Sequence, residues 1–76
     1  MANISKYKDF EVLFTLSKPK SPIGVLFCTE DLPDKWLIEM VEYKKKTGEI
    51  TYDVMITSKD LKRWESYYQE NGYEKV

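Results

Sequence analysis

Apolar and polar positions follow a regular spacing in three stretches of the first 57 residues. Residues 10–17 and residues 50–57 alternate between apolar and polar side chains, and a period of two predicts strands with one buried face. Residues 23–28 form an almost continuous apolar run, short enough for a strand that is covered on both faces. The pattern therefore predicts three strands, the last of which runs directly into the C-terminal segment.

The C-terminal segment, residues 57–73, carries the start, the buried face and the end of a helix. Thr57 lies three residues before Asp60, as in a capping box with a shortened acid. Apolar residues then recur at steps of three and four, which places one stripe against the core: Leu61, Trp64 and Tyr68. Gly72 can adopt a positive φ and end the helix, so that Tyr73 returns against the last turn. We expect this helix to anchor the domain, with the Trp64 indole shielded from solvent.

Residues 31–47 allow two interpretations. A helix would begin with Asp31 as its cap, carry lysines in its last turn and stop at Gly48. A strand over residues 36–43 is the competing interpretation, because residues 46–49 also resemble a hairpin loop with a left-handed glycine. A period of two sorts this segment poorly into an apolar and a polar face, so the sequence favours the helix.

The predicted fold is a single α+β domain over residues 1–76 with the order β-β-α-β-α, in which two helices cover one face of a three-stranded sheet. The alternative order is β-β-β-β-α, a four-stranded antiparallel sheet with one C-terminal helix. Residues 1–8 are polar and basic, and we expect them to be loosely held. The uncovered sheet face, or the unpaired edge of the first strand, is then a candidate contact surface.

Composition narrows the class of protein only slightly. Of the 76 residues, 42% are apolar and 33% are charged, with a formal net charge of −1, which excludes long disorder and a nucleic-acid binder held by bulk charge. A chain this short buries only about 60% of its extended surface on folding, so a partner or a second copy would stabilise it. The single cysteine, Cys28, allows no internal disulfide and fits a reducing interior. No stretch approaches the length of a membrane span, and we expect a cytoplasmic protein.

The residues needed for common catalytic routes are missing. The chain has no histidine, the usual general base and metal ligand near neutral pH. Cys28 lies in the middle of a predicted strand, where a buried, inert thiol is expected. The carboxylate pairs at helical spacing, Glu39 with Glu42 and Asp31 with Asp34, have no third ligand beside them. We therefore predict no enzymatic activity, cofactor, metal or small-molecule substrate.

Aromatic residues give the strongest indication of a binding surface. Six tyrosines and two tryptophans exceed what a small core readily hides, and aromatic residues are enriched in protein interfaces. The candidates at the last helix are Tyr67, Tyr68 and Tyr73. A second set of candidates could meet phosphates, although we favour the simpler explanation of a helix end that complements the macrodipole together with a soluble loop: Lys44, Lys45 and Lys46, with Lys18 and Lys20.

Small size, a Lys- and Tyr-rich composition and the lack of catalytic residues together resemble the accessory proteins that phages and mobile elements encode, which often bind one host protein. We accordingly expect a small non-catalytic protein-binding module, acting as an inhibitor of a host protein or as a homodimer. The alternative is a small nucleic-acid-binding domain that uses the lysines.

Overall fold

The computed structural model describes residues 2–30 and 36–76. Its elements are a 3₁₀ helix at Ile4–Tyr7, strands β1 (Glu11–Ser17), β2 (Ile23–Thr29), β3 (Leu37–Lys44) and β4 (Ile50–Thr57), a 3₁₀ turn at Ser58–Asp60, helix α1 (Leu61–Glu70) and strand β5 (Glu74–Lys75). The five strands form one antiparallel sheet in the order β4-β3-β2-β1-β5.

The predicted β-β-α-β-α order, with two helices on a three-stranded sheet, is therefore wrong. The chain from Leu37 to Lys44 is a strand that pairs with both β2 and β4. The alternative order, with four strands and one helix, agrees as far as α1 but lacks β5. Asp31, the expected cap of the first helix, and Asp34, with which it forms a carboxylate pair in the sequence analysis, lie outside the described residues.

Burial on both faces explains why β3 does not show a strand pattern. Ile38 and Met40 lie on the face that α1 covers, while Val41 packs on the opposite face, and all three side chains are at most 1% exposed. A strand that is buried on both sides has no reason to alternate in polarity. The hairpin signal was the informative one: Gly48 adopts a φ of 79°, and its amide donates to the Lys44 carbonyl at 2.7 Å to close the turn.

Helix α1 packs across one face of the sheet, and its predicted end is confirmed. The Tyr73 amide donates to the Tyr68 carbonyl and the Gly72 amide to the Gln69 carbonyl, each at 3.0 Å, with Gly72 at a φ of 93°. This is the Schellman arrangement, and it brings the Tyr68 and Tyr73 rings to 5.5 Å. The core under the helix comprises Leu16, Val25, Phe27, Ile38, Met40, Ile56 and Tyr68.

The start of the helix differs from the prediction. The Thr57 hydroxyl donates to the Asp60 carboxylate at 3.3 Å, and neither side chain caps a first-turn amide. A 3₁₀ turn at Ser58–Asp60 leads into α1 instead. Trp64 packs against the core but is only half-buried, so the expected shielding of its indole is incomplete.

The N-terminal segment covers the opposite face of the sheet. Tyr7, which is 5% exposed, packs in a second cluster with Cys28 and Val41. The Asn3 side chain accepts from the Ser5 amide at 3.0 Å and donates to the Thr47 carbonyl at 3.0 Å. Residues 2–8, which the sequence suggests are loosely held, thus form the third layer of the fold in the structure.

The two edges of the sheet are unequal. At one edge the two-residue strand β5 pairs with the end of β1, and the Val76 amide extends this ladder to the Thr15 carbonyl at 3.0 Å. At the other edge lies β4, which is eight residues long. No helix among residues 2–30 and 36–76 has the length and apolar character needed to cross a membrane.

Candidate functional site

The two flanks of α1 face the two edges of the sheet. The Glu65 carboxylate lies 3.2 Å from the Lys75 ammonium of β5, and that ammonium is 4.7 Å from the centre of the Phe14 ring in β1. These contacts form what we call the closed flank. Arg63 and Tyr67 are each two residues from Glu65, or about 200° around the helix. Strands β1 and β5 lie at the edge of the sheet opposite β4. The flank that carries Arg63 and Tyr67, here called the open flank, is therefore directed towards β4.

The open flank contains an apolar groove of about 320 Å³ lined by Arg63, Trp64 and Tyr67. The Trp64 and Tyr67 rings meet edge to face with their centres 5.8 Å apart, which fixes one wall of the groove. Tyr67 remains 54% exposed. Trp64 packs against the core. The groove therefore has a rigid base, formed by Trp64, and an accessible rim, formed by Tyr67.

A second, polar cleft of about 280 Å³ lies at the C-terminal end of α1. Its lining includes Lys18, Glu42, Tyr67, Tyr68, Asn71 and Tyr73. The Tyr68 hydroxyl donates to the Glu42 carboxylate of β3, while the Tyr73 hydroxyl shares a hydrogen bond with the Ser21 hydroxyl at 3.1 Å. Burial, followed by the hydrogen bond to Glu42, raises the pKa of Tyr68 above its ordinary value. The phenol therefore stays protonated and serves as a fixed donor.

The structure brings the three predicted tyrosines together but gives them different roles. Their rings form a continuous cluster, with 5.3 Å between the centres of Tyr67 and Tyr68 and 5.5 Å between Tyr68 and Tyr73. Tyr68 is only 6% exposed, so it fills the core and has little surface for a partner. Tyr73 is half-buried and attaches the end of the helix to the β1–β2 loop. Tyr67 alone of the three has most of its ring at the surface and lines both cavities.

The predicted basic candidates end β3 and begin its turn, so they complement no helix dipole. The Lys44 ammonium lies 3.2 Å from the Glu49 carboxylate, and the Lys45 ammonium donates to the Lys18 carbonyl at 2.8 Å. Lys46 is exposed in the turn. Two of the three ammonium groups are thus used in contacts within the chain.

A cluster of titratable groups connects the N-terminal segment to β3 and β4. The Tyr7 hydroxyl donates to the Asp53 carboxylate at 3.3 Å, and the Lys6 ammonium is 3.9 Å from the same carboxylate. Burial, with the nearby Asp53 charge, raises the pKa of Glu39. Within the described part of the chain, no group of three or more His, Cys, Asp or Glu side chains is placed to hold a metal ion.

The thiol of Cys28 is placed as the sequence predicts, in the middle of β2. It is fully buried, and burial, followed by the Glu39 charge, raises its pKa to about 12. A thiol that stays protonated and out of contact with solvent is a poor nucleophile. Cys28 therefore acts as a core residue.

The sequence did not identify Arg63 and Trp64 as site residues. Helical periodicity places Trp64 in the buried stripe, and it gives Arg63 no role beyond the solvated face. A usable signal was present in residue type: Arg, Trp and Tyr at positions 63, 64 and 67 all fall on one side of the helix, and these three types dominate binding hot spots.

Comparison of the chain with models of protein families, with curated proteins and with solved structures gives no match.

Proposed function

We propose that the chain is a small protein-binding module whose recognition surface is the open flank of α1. The observation that carries this proposal is the groove between Arg63, Trp64 and Tyr67. A groove of about 320 Å³ accommodates one or two apolar side chains of a partner. We favour a cytoplasmic accessory protein that binds one host protein.

Three features of the groove support a protein partner. Its lining combines the residue types that contribute most to binding energy when they are desolvated. Trp64 is held by the core, so binding orders few additional rotamers, and this limits the entropic cost of association. The half-exposed Tyr67 ring offers a large contact area with only two side-chain torsions to fix.

The lysines give less support to the alternative function, nucleic-acid binding. An ammonium that is already paired must leave its partner before it neutralises a phosphate, and Lys44 and Lys45 both have partners within the chain. The net charge of −1 provides no compensating long-range attraction. We therefore assign Lys44, Lys45 and Lys46 a structural and solubilising role.

Affinity capture followed by calorimetry tests the proposal. The tagged protein would be used to isolate its binding partner from cells that naturally produce it, and the purified partner would then be titrated with variants. We expect Tyr67→Ala and Arg63→Ala each to weaken binding by about 30-fold, which corresponds to a hot-spot contribution of about 2 kcal/mol.

Lys62→Ala is the matched control. Lys62 is an exposed cation on the same helix, but it lies about 100° away from Arg63 around the axis, outside the groove. Its replacement should leave affinity unchanged within about twofold. Equal affinity of the Tyr67→Ala, Arg63→Ala and Lys62→Ala variants for the partner would contradict the proposal.

A further inference from the structure

The outer edge of β4 presents backbone groups that are ready to pair with another strand. The Ser58 amide donates to the Trp36 carbonyl at 2.9 Å, so Tyr52, Val54 and Ile56, in the same register, direct their backbone groups towards β3. Asp53, Met55 and Thr57 then direct theirs outwards. Within residues 2–30 and 36–76, the strand order gives β4 no neighbour on this side. Among the described residues of the N-terminal segment, Ala2 contacts the start of this strand, where its carbonyl accepts from the Ile50 amide at 3.0 Å.

Asp53 and a register shift near one end are the protection that this edge carries. Such edges are commonly short, bulged, or provided with lysine or proline. Strand β4 is eight residues long, contains neither lysine nor proline, and has its register shift at the end near Glu42 and Tyr43. Two large side chains next to the edge are about half exposed, Tyr52 at 49% and Met55 at 52%.

Strand β4 carries side chains on the sheet face that α1 covers. Tyr52 pairs with Glu42, whose carboxylate accepts from Tyr68 of α1, so Tyr52 lies on the helix-covered face. Since side chains alternate along a strand, a strand added beside β4 would direct every second side chain to the side of α1, beneath the open flank. Its other side chains would lie on the opposite face, beside Asp53 and Met55.

Charge selects the occupant of this edge. Asp53 is the one charged side chain of β4, and Glu39 pairs with the adjacent residue Met55. Asp53 and Glu39 therefore lie near one another on the sheet face opposite α1. The Lys6 ammonium is 3.9 Å from the Asp53 carboxylate. A second copy would bring another Asp53 that is already in contact with its own Lys6, and its β4 carries no lysine or arginine. A basic side chain next to Asp53 would instead add a second positive charge beside the two carboxylates.

From these observations we infer that β4 binds an extended segment of the partner as a sixth strand, and that this segment alternates apolar residues with lysine or arginine. The apolar side chains enter the groove of Arg63, Trp64 and Tyr67, and the basic ones lie beside Asp53. Main-chain hydrogen bonds to Asp53, Met55 and Thr57 supply affinity, while the two faces supply specificity. This inference rests on the proposed function, because it uses the same groove.

Peptide selection with backbone variants tests the inference. A display library of random nine-residue linear peptides would be selected on the wild-type protein, and the most enriched peptide would be synthesised. We expect it to alternate apolar and basic residues and, at saturation, to slow amide hydrogen exchange at Asp53 and Met55 by at least about tenfold. Enrichment of peptides without this alternation, or unchanged exchange at these amides, would overturn the inference.

Met55→Pro separates the edge from the groove. Its amide points outwards, so proline removes a donor from the edge without breaking the β3–β4 ladder, and affinity should fall by at least about tenfold. Met55→Ala keeps the donor and is the matched control. If Met55→Pro lowers the melting temperature, a synthetic chain with an N-methyl group on Met55 replaces it.

The remaining outcomes distinguish the two proposals. Loss of peptide affinity in Tyr67→Ala but not in Met55→Pro would overturn strand addition and leave the groove as the binding site. Loss of peptide affinity in Met55→Pro but not in Tyr67→Ala or Arg63→Ala would overturn the groove as the binding site and leave strand addition to β4. A wild-type mass in sedimentation equilibrium that is twice the chain mass, and that Met55→Pro halves, would identify a second copy as the occupant and overturn the inference.

Discussion

The two flanks of α1 differ in whether the chain itself packs against them. On the closed flank, the chain returns after the helix as β5, and Lys75 reaches both Glu65 and the Phe14 ring. On the open flank, an arginine and two aromatic residues line a groove beside a strand edge that no described residue covers beyond Ile50. The comparison shows that the strand after α1 pairs with one edge of the sheet, whereas the other edge has no neighbour among the described residues; we propose that a partner binds there.

The largest expected effect separates two adjacent tyrosines. Tyr68→Ala removes a ring that is 6% exposed, and truncation of a buried aromatic residue costs about 3 to 5 kcal/mol. Tyr67→Ala, on the open flank, should cost less than about 1 kcal/mol because most of the ring is at the surface. Urea unfolding followed by tryptophan fluorescence measures both free energies of unfolding. Similar values for the two variants would remove the distinction between a folding tyrosine and a binding tyrosine.

A moderate effect is expected at the helix end, on which the closed flank depends. Gly72 has a φ of 93°, and an added Cβ would lie 3.1 Å from the Lys18 Cε atom. Gly72→Ala should therefore cost about 1 to 2 kcal/mol. Thermal unfolding by circular dichroism measures the loss, and Gln69→Ala, at an exposed position of the last turn, is the control. An unchanged melting temperature for Gly72→Ala would show that this turn does not hold β5 in place.

A smaller effect is expected from the ion pair of the closed flank. Lys75→Ala removes the contact with Glu65 and the cation over Phe14, and exposed pairs of this kind contribute about 0.5 kcal/mol. The loss should decrease in 1 M salt (a Debye length of about 3 Å), because salt screens exposed charges. Lys62→Ala, at an exposed lysine of α1 outside this pair, should show neither the loss nor its salt dependence. A cost of several kcal/mol would mean that β5 is essential to the fold.

The smallest effect concerns Glu39, on the face opposite α1. Its pKa is raised in the folded state, so at neutral pH the folded protein bears a cost for keeping this group charged, and the cost is relieved as the pH falls through the raised pKa. Glu39→Gln should therefore raise the melting temperature at pH 7. The difference should shrink as the pH approaches the ordinary value of about 4.3. A variant that is less stable than wild type at pH 7 would reverse the assigned sign.

Local signals predicted the parts of the fold that depend on local interactions. The alternation in β4, the apolar run of β2 and the glycine stop of α1 all appear in the structure, because each is determined by neighbouring residues. The helix predicted over residues 31–47 was wrong, because the burial of Ile38, Met40 and Val41 depends on elements distant in sequence. Strand β5 was missed because two residues carry no periodicity.

The candidate site was only partly predictable for the same reason. The aromatic excess drew attention to the last helix, where Tyr67 is exposed, and its role in binding stays a prediction. Periodicity placed Tyr68 in the core, but its hydrogen bond to Glu42 of β3 was not predictable, because the sequence favoured a helix for that segment. The roles of Arg63 and Trp64 required the position of the helix over the sheet, which periodicity alone does not provide.

Site-specific photo-crosslinking tests the central claim most directly. A benzophenone amino acid would replace Tyr67 on the open flank or Lys75 on the closed flank, in cells that naturally produce the protein. The account predicts one discrete protein adduct from position 67, which Arg63→Ala removes, and none from position 75. Adducts of equal yield from both positions, or an adduct from position 75 alone, would contradict it.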